Sequence, residues 1–193
     1  PVLDFETNAR GTFNVLEVAR ARTIPVATCS SIHAYGTGIN EEIVESGKRY
    51  ARTPAAISES HAALTGRLTP LHASKFAGEV YCQTYAHTYG VKAAAFRYTG
   101  IYGPRQLIRH NRQGFIGWVI RLAIEDREIE IYGDGSQVRD FVYVDDVAQA
   151  FLLAGATDAC NGDVFNVGGT APITHRDLTT LLVRVAGTGR VRY

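Results

Sequence analysis

Phe5-Glu6-Thr7-Asn8-Ala9-Arg10-Gly11-Thr12-Phe13-Asn14-Val15-Leu16-Glu17-Val18-Ala19-Arg20, followed after a short break by Pro25-Val26-Ala27-Thr28-Cys29, decides the fold class. Phe5, Ala9, Phe13, Leu16 and Ala19 recur at three- and four-residue steps, which lines one face of a helix ending before Thr23. Pro25 to Cys29 is short and largely apolar, the pattern of a strand covered on both faces. A helix that runs into a buried strand points to alternating α/β architecture.

The remaining chain continues the alternation. A second helix is expected from Ala73 to Tyr89, with Phe76, Ala77, Val80, Cys82 and Tyr85 as its apolar residues and Gly90 as its stop. Lys92 to Tyr98 reads as the next buried strand, Ile116 to Ile124 as a helix, and Glu128 to Tyr132 as a half-exposed strand. Gly133-Asp134-Gly135 is a turn; Phe141 to Val144 is extended, and Asp145 can cap a helix through Ala154. Asp163 to Val167 is a further strand. Thr174 and Asp177 stand at capping-box spacing before a helix over Leu178 to Ala186 that ends at Gly187, and Arg190 to Tyr193 resembles a strand cut short. Between Gly36 and Pro70 the periodicity dissolves into Gly, Asn, Glu and Ser around Lys48-Arg49-Tyr50, so a long surface excursion with at most a short helix is expected there.

With 193 residues, 46% hydrophobic and 20% charged, the chain can bury one core with a small appended lobe. Lys and Arg total 20 against 19 Asp and Glu, spread along the chain, which leaves no nucleic-acid or membrane-surface footprint; small molecules or other subunits are the expected partners. No apolar run approaches the roughly 20 residues of a spanning helix, and no signal-like segment opens the chain. Cys29, Cys82 and Cys160 are far apart and in no ligand-like spacing, arguing against a disulfide framework or a zinc site and for a reducing cytoplasm. There is no methionine, and Pro1 opens directly on the approach to a helix, so the sequence is expected to be cut from a longer one.

Four local patterns carry chemistry: Ser30-Ser31-Ile32-His33-Ala34-Tyr35-Gly36, Ala73-Ser74-Lys75, Arg97-Tyr98-Thr99-Gly100-Ile101-Tyr102-Gly103-Pro104-Arg105, and Gly133-Asp134-Gly135-Ser136-Gln137-Val138-Arg139-Asp140. In this order, with Asn8-Ala9-Arg10-Gly11-Thr12 before them, they resemble the extended short-chain dehydrogenase/reductase family, in its NAD-dependent nucleotide-sugar epimerase and dehydratase branch. The resemblance implies a Rossmann-like parallel sheet with helices on both faces, incomplete at the N-terminus, plus a small C-terminal α/β substrate lobe. Residues 1–104 would be the C-terminal half of the dinucleotide-binding domain and residues 105–193 the nucleotide-sugar lobe, interleaved with the core. It also implies NAD as cofactor, a nucleotide diphosphate hexose as substrate, and a homodimer formed through the helices over Asp4 to Arg20 and Ala73 to Tyr89.

In such enzymes NAD takes a hydride from a sugar carbon while a Tyr-x-x-x-Lys pair removes the hydroxyl proton, and the keto sugar is reduced again from its other face. By resemblance Lys75 is the lysine, but the tyrosine position is Leu71, which cannot accept a proton, so turnover is expected to be impaired. His72, next door, titrates near neutrality and could be argued as a substitute base, but in a loop or first helical turn it would point elsewhere, and it is expected to be solvated or to cap. Ser31 matches the active-site hydroxyl residue; Ile32 and His33 stand where dehydratases carry an acidic pair, so epimerisation fits better than elimination. Asn8, Cys29, Ser30, Lys75 and Tyr98 are the implied cofactor contacts. Ser31, Gly100, Ile131, Tyr132 and Arg139 are the implied substrate contacts, with Gly100 in place of an asparagine and Arg139 as the forked donor to a diphosphate. Read without the resemblance, Arg139 is a surface arginine paired with Asp134 or Asp140, and Ser31 is ordinary strand-to-loop chemistry. Arg105, Arg109, His110 and Arg112 form a basic loop of the kind that usually only solvates.

No G-x-G-x-x-G or G-x-x-G-x-x-G turn occurs in the sequence; in the family it lies in a segment that would precede Pro1. Two readings stand: a portion of a nucleotide-sugar epimerase, or a non-catalytic nucleotide-sugar-binding or subunit-pairing module. A serine hydrolase built on Ser31 with His33 or His72 lacks the G-x-S-x-G elbow.

Overall fold

A computed structural model describes residues 1–46, 49–52, 56–109 and 114–193. Lys48, within the excursion, and His110 and Arg112, within the basic loop, lie outside the described residues. In chain order the elements are α1 (Val2–Asp4), a π-helical stretch (Phe5–Arg10), α2 (Gly11–Arg22), β1 (Val26–Ser31), β2 (Ile43–Ser46), β3 (Arg49–Arg52), α3 (Pro70–Tyr89), β4 (Ala93–Tyr98), β5 (Gly100–Tyr102), α4 (Phe115–Ile124), β6 (Glu128–Glu130), β7 (Val138–Arg139), β8 (Phe141–Tyr143), α5 (Val144–Ala156), β9 (Val164–Val167), β10 (Ile173–Thr174), α6 (His175–Ala186) and β11 (Arg190–Arg192). They form two compact units.

The first unit comprises Pro1–Glu42, the described part of 53–99, and Asp145–Gly168. Its sheet is parallel in the order β1-β4-β9, with Val26 to Ser31 registered against Ala93 to Tyr98, and Ala95 to Tyr98 against Val164 to Val167. Successive side chains of β4 point to opposite faces. Arg97 faces α3, where it meets Glu79, while Phe96 and Tyr98 face α5 and pack on Phe151 at ring separations of 5.5 and 6.0 Å. Helices therefore cover both faces, as an α/β reading requires. The core under α2 and α3 joins Leu16, Ala19, Cys82, Tyr85, Val91, Ala93 and Ala95, and a fully buried side chain such as Leu16 contributes about 1.5–3 kcal/mol.

α3 begins at Pro70, earlier than the expected Ala73, because Thr69 caps it: its side chain accepts from His72 N, and Pro70 fills the first turn, where an N–H has no helical partner. Its buried face is Ser74, Gly78, Glu79, Cys82 and Tyr85, while Val80, expected inside, is 43% exposed. Small residues win because the π-helical stretch and α2 approach closely; a Cβ on Gly78 would lie 3.0 Å from Thr12 Oγ1 and 3.3 Å from the Asn8 carbonyl oxygen. In the first helical run Ala9, Leu16 and Ala19 are buried as expected, but Phe5 and Phe13, expected on the same face, are exposed. The π-helical stretch breaks the 3.6-residue period assumed for that face.

The second unit comprises the described parts of Ile43–Arg52 and Gly100–Val144, with Gly169–Tyr193. It holds four two-stranded pairings: β2 with β3 and β7 with β10 antiparallel, β5 with β8 and β6 with β11 parallel. The β2–β3 hairpin falls in the stretch expected to be an excursion without strands. Arg190 to Arg192 does form a strand, on β6. A core of Val119, Leu122, Ala123, Ile129 and Ile131 packs with Trp118, Leu182 and Val183 between α4 and α6.

Candidate functional site

In the first unit the carboxyl ends of β1 and β4 and the first turns of α3 come together. Parallel α/β sheets bind ligands at this end of their strands. Ser31 and Tyr98 are register partners there, one step beyond Ser30 and Arg97. Ser30 and Tyr98 are each 4% exposed, and Ser30 Oγ, Tyr98 Oη and Thr99 Oγ1 are buried without hydrogen-bond partners. Burial, and then the neighbouring Cys29, pushes the Tyr98 phenol well above its ordinary range, so it is a neutral donor. Cys29 lies on β1 opposite Phe96; burial pushes its thiol up and the Lys75 charge pulls the other way, which places the two side chains within electrostatic reach.

Leu71 is in the first turn of α3 and 41% exposed, so no proton-accepting group occupies that position. Ser74, not singled out from the sequence, is buried; its Oγ accepts from Asn8 Nδ2 at 3.0 Å and donates to the Leu71 carbonyl at 2.8 Å. Asn8 thus fastens the first helical run to the turn that carries Lys75. The imidazoles of His33 and His72 stack at 4.1 Å with 19° between their planes. Ser31 Oγ accepts from His33 N at 3.2 Å, and His72 Nδ1 lies 3.0 Å from Thr69 Oγ1. Burial first, then the charges of His33 and Lys75, hold His72 below the ordinary imidazole range. As the capping expectation has it, His72 meets the N-cap residue Thr69 with both its backbone N and Nδ1; its ring also packs against the residue that Ser31 holds, and it stands three residues before Lys75 on the helix. Helical spacing was the available signal, since residues three apart are neighbours on a helix surface.

In the second unit, Ile131 is buried, its N–H donating to the Arg192 carbonyl at 2.9 Å, whereas Tyr132 is 83% exposed. The turn after them is fastened by Asp134, whose carboxylate accepts from Ser136 N at 2.9 Å and Ser136 Oγ at 2.7 Å; these bonds hold it below the usual carboxylate range. Arg176 donates to the Asp134 carbonyl and lies over the Tyr193 ring at 4.4 Å. Arg139 is exposed on β7, where it is the register partner of Ile173. His175, unmarked in the sequence, stacks on Phe115 at 4.3 Å; burial and then the Arg139 charge lower its pKa. Gly100 donates its N–H to the Asp140 carbonyl at 3.1 Å, and a Cβ there would lie 2.7 Å from the Phe141 ring.

The parallel sheet with helices on both faces places the chain in the Rossmann-like α/β class. The sequence profile described as the NAD dependent epimerase/dehydratase family matches residues 1–168, and the chain belongs to that family. It is 32% identical over 189 residues to a UDP-glucose 4-epimerase of Mycolicibacterium smegmatis, covering 97% of this chain and 55% of that protein. A CDP-paratose 2-epimerase of Salmonella typhi is 30% identical over 181 residues, with coverages of 88% and 52%. Among solved structures, a UDP-glucose 4-epimerase of Thermus thermophilus in complex with NAD superposes with a TM-score of 0.76 at 31% identity, over 100% of this chain and 58% of that one. The UDP-glucose 4-epimerase of Thermotoga maritima with UDP-glucose gives a TM-score of 0.80 at 29% identity, with coverages of 100% and 58%. The chain spans about half the length of the curated relatives it matches. NAD is the family's cofactor. No described helix is long and apolar enough to cross a membrane.

Proposed function

We propose that this chain is part of an NAD-dependent nucleotide-sugar epimerase that works by hydride removal and return through a keto sugar. The observation that supports this reading is that the Ser30, Tyr98 and Thr99 hydroxyls, at or just past the carboxyl ends of β1 and β4, are buried without hydrogen-bond partners. Buried polar groups are nearly always paired, so a set left open at the ligand end of a parallel sheet fits a polar molecule that completes it. The residues fit the nicotinamide and ribose end of the cofactor; the sequence contains no Gly-rich turn for its diphosphate. When bound, the nicotinamide supplies hydride transfer.

In this reading Ser30, Cys29 and Tyr98 shape the cofactor pocket, Asn8 steadies the Lys75 turn, Lys75 donates to the ribose, and Ser31 orients the sugar hydroxyl. Residues 1–104 carry the cofactor; residues 105–193, interleaved with the core because Asp145–Gly168 belongs to the first unit, hold the nucleotide sugar. There Arg139 grips the diphosphate, and Ile131 and Tyr132 hold the base through backbone groups. Ile32 and His33, in place of an acidic pair, favour epimerisation over dehydration. Pairing of two copies through α2 and α3 belongs to the same proposal, and Phe13, Val80 and Tyr81 on those helices are exposed. Leu71 cannot take a proton, which also favours a second reading, a nucleotide-sugar-binding or subunit-pairing module without turnover.

The test is calorimetric binding of NAD and UDP-glucose to the intact native protein, followed by conversion of UDP-glucose to UDP-galactose. Epimerase activity supports the first reading. Binding without conversion supports the second; activity gained in Leu71→Tyr supports the first, and no activity in that variant with any of several nucleotide hexoses removes it. Arg139→Met is expected to weaken UDP-glucose binding by about 10- to 100-fold, the worth of charge-assisted bonds to a diphosphate. Unchanged affinity in that variant removes Arg139 from the site.

A further inference from the structure

We infer that His72 is the proton acceptor of this site, taking at a neighbouring helical position the task that Leu71 cannot perform. The inference rests on the epimerase reading above. Two positions on a helix bring a side chain beside Lys75 from its N-terminal side, four residues back and three residues back. The first is Leu71 and the second is His72, so a base moved by one residue stays on the lysine's face.

The ring of His72 is held on one edge and one face. Thr69 Oγ1 lies 3.0 Å from Nδ1 and also accepts from His72 N at 3.4 Å. In this inference Nδ1–H donates to Thr69 Oγ1, which leaves the Nε2 lone pair to take a proton. His33 covers one face of the ring at 4.1 Å, and Ser31 Oγ holds the His33 backbone at 3.2 Å. The hydroxyl expected to orient the substrate and the imidazole expected to deprotonate it are thereby tied into one cluster. The charged or titratable groups acting on His72 are His33 on the turn after β1 and Lys75 on α3, and Cys29 on β1 interacts in turn with Lys75. All three perturbations of His72, burial included, favour the neutral ring, the form a base needs near neutral pH.

The step balances. The sugar hydroxyl's O–H bond breaks and its proton goes to Nε2 of His72, giving an imidazolium. A bound oxidised nicotinamide dinucleotide would accept the hydrogen on the same carbon as hydride, and the oxygen lone pair would close the carbonyl. Return of hydride to the other face takes the proton back from His72, so the imidazole is regenerated.

The experiment uses the intact native protein with NAD, UDP-glucose and UDP-galactose. His72→Asn keeps an amide N–H for Thr69 but has no basic nitrogen, and His72→Gln is the second variant if the first does not fold. Removal of a general base is expected to lower kcat by about 100- to 10,000-fold while the calorimetric affinity for UDP-glucose changes less than about 3-fold. Adding Leu71→Tyr to His72→Asn should recover at least about 10-fold of that loss, because it restores an acceptor beside Lys75. Independently of turnover, the ¹⁵N resonances of His72 in the unsubstituted protein should report a neutral ring at pH 7 with its proton on Nδ1. Unchanged kcat in both variants, or a proton on Nε2, overturns the assignment. Binding of UDP-glucose without turnover in the unsubstituted protein also overturns it but leaves the binding-module reading standing. Failure to bind either ligand overturns the epimerase reading itself.

Discussion

Replacing Glu79 by glutamine should destabilise the first unit more than any other single-atom change in it. Glu79 on α3 is 1% exposed and Arg97 on β4 is 6% exposed. They are joined by two bonds, Nε to Oε2 at 3.1 Å and Nη2 to Oε1 at 2.5 Å, and Arg97 also lies over the Tyr35 ring at 4.6 Å. Burial opposes the guanidinium charge, but the bonds to Glu79 and the contact with Tyr35 more than offset it, and the Arg97 pKa is raised. Glu79→Gln removes the compensating charge, keeps one acceptor and turns an amide NH2 against the second guanidinium N–H. Breaking a buried pair from one side costs about 3–5 kcal/mol, and the retained acceptor puts this variant near 3. At roughly 2–4 °C per kcal/mol for a chain of this size, the Tm should fall by about 6–12 °C. Far-UV circular dichroism melts and urea titrations measure both quantities. The paired variant Glu79→Leu with Arg97→Met should recover most of the loss, because no charge is then left buried. A cost below about 1 kcal/mol for Glu79→Gln, or a paired variant as unstable as the single one, would refute an uncompensated charge as the cause.

Gly78→Val should lower stability by about 1–3 kcal/mol at unchanged m-value in urea, since its side chain meets Thr12 and the Asn8 carbonyl where the helices touch. His72 and His175 are both held below the ordinary value of 6.5, so the unfolded chain binds protons that the folded one refuses. Stability is then complete above that value and falls as pH drops through the folded pKa values; the double variant His72→Asn with His175→Gln should flatten the melting temperature across this acid window. Tyr98→Phe removes a buried hydroxyl without a partner, so the ligand-free protein should be unchanged or more stable by about 1 kcal/mol. The same change should weaken NAD binding in calorimetry, and unchanged affinity would take that hydroxyl out of the cofactor site.

The elements that position the site were legible where burial on both faces left an apolar mark. Lys92 to Tyr98 reads as a strand because Ala93 to Tyr98 is buried along its whole length. The β2–β3 hairpin left no such mark, because Ile43 and Val44 are exposed and no alternation distinguishes the segment from a loop. In α3 the apolar residues misled. A helix that must approach its neighbour at van der Waals distance buries Ser74 and Gly78 and leaves Val80 outside, which a hydrophobicity pattern ranks the wrong way round. The α3 start was nevertheless written in Thr69-Pro70, a cap followed by a residue that needs no N–H partner. Within the site, Asn8 and Ser74 are 66 residues apart and only the fold reveals their bond. The stacking of His33 on His72 was equally beyond a linear reading, although the three-residue step from His72 to Lys75 was not.

Two departures from the family pattern look alike in the sequence and have opposite physical meanings. Gly100, where an asparagine is expected, sits against Phe141, and any Cβ would lie 2.7 Å from that ring. Gly169 is equally confined by the same residue: a Cβ there would lie 2.1 Å from the Phe141 carbonyl oxygen, and its N–H donates to Asp140 Oδ2 at 3.0 Å. The two glycines and the Asp140–Phe141 backbone therefore form one packing solution, and Gly100 is explained without reference to a ligand. Leu71 is different. It is 41% exposed, and its backbone carbonyl, not its side chain, is what Ser74 uses. Local packing does not require a leucine there, while the polar groups around it, Ser31, His33, His72 and Lys75, stay assembled. His72 stacks on His33, whose backbone N–H Ser31 Oγ accepts, and the Ser30, Tyr98 and Thr99 hydroxyls are unpaired in the interior. Buried polar groups of this kind cost stability unless something completes them, which is the use a relocated base and its ligands would make of them.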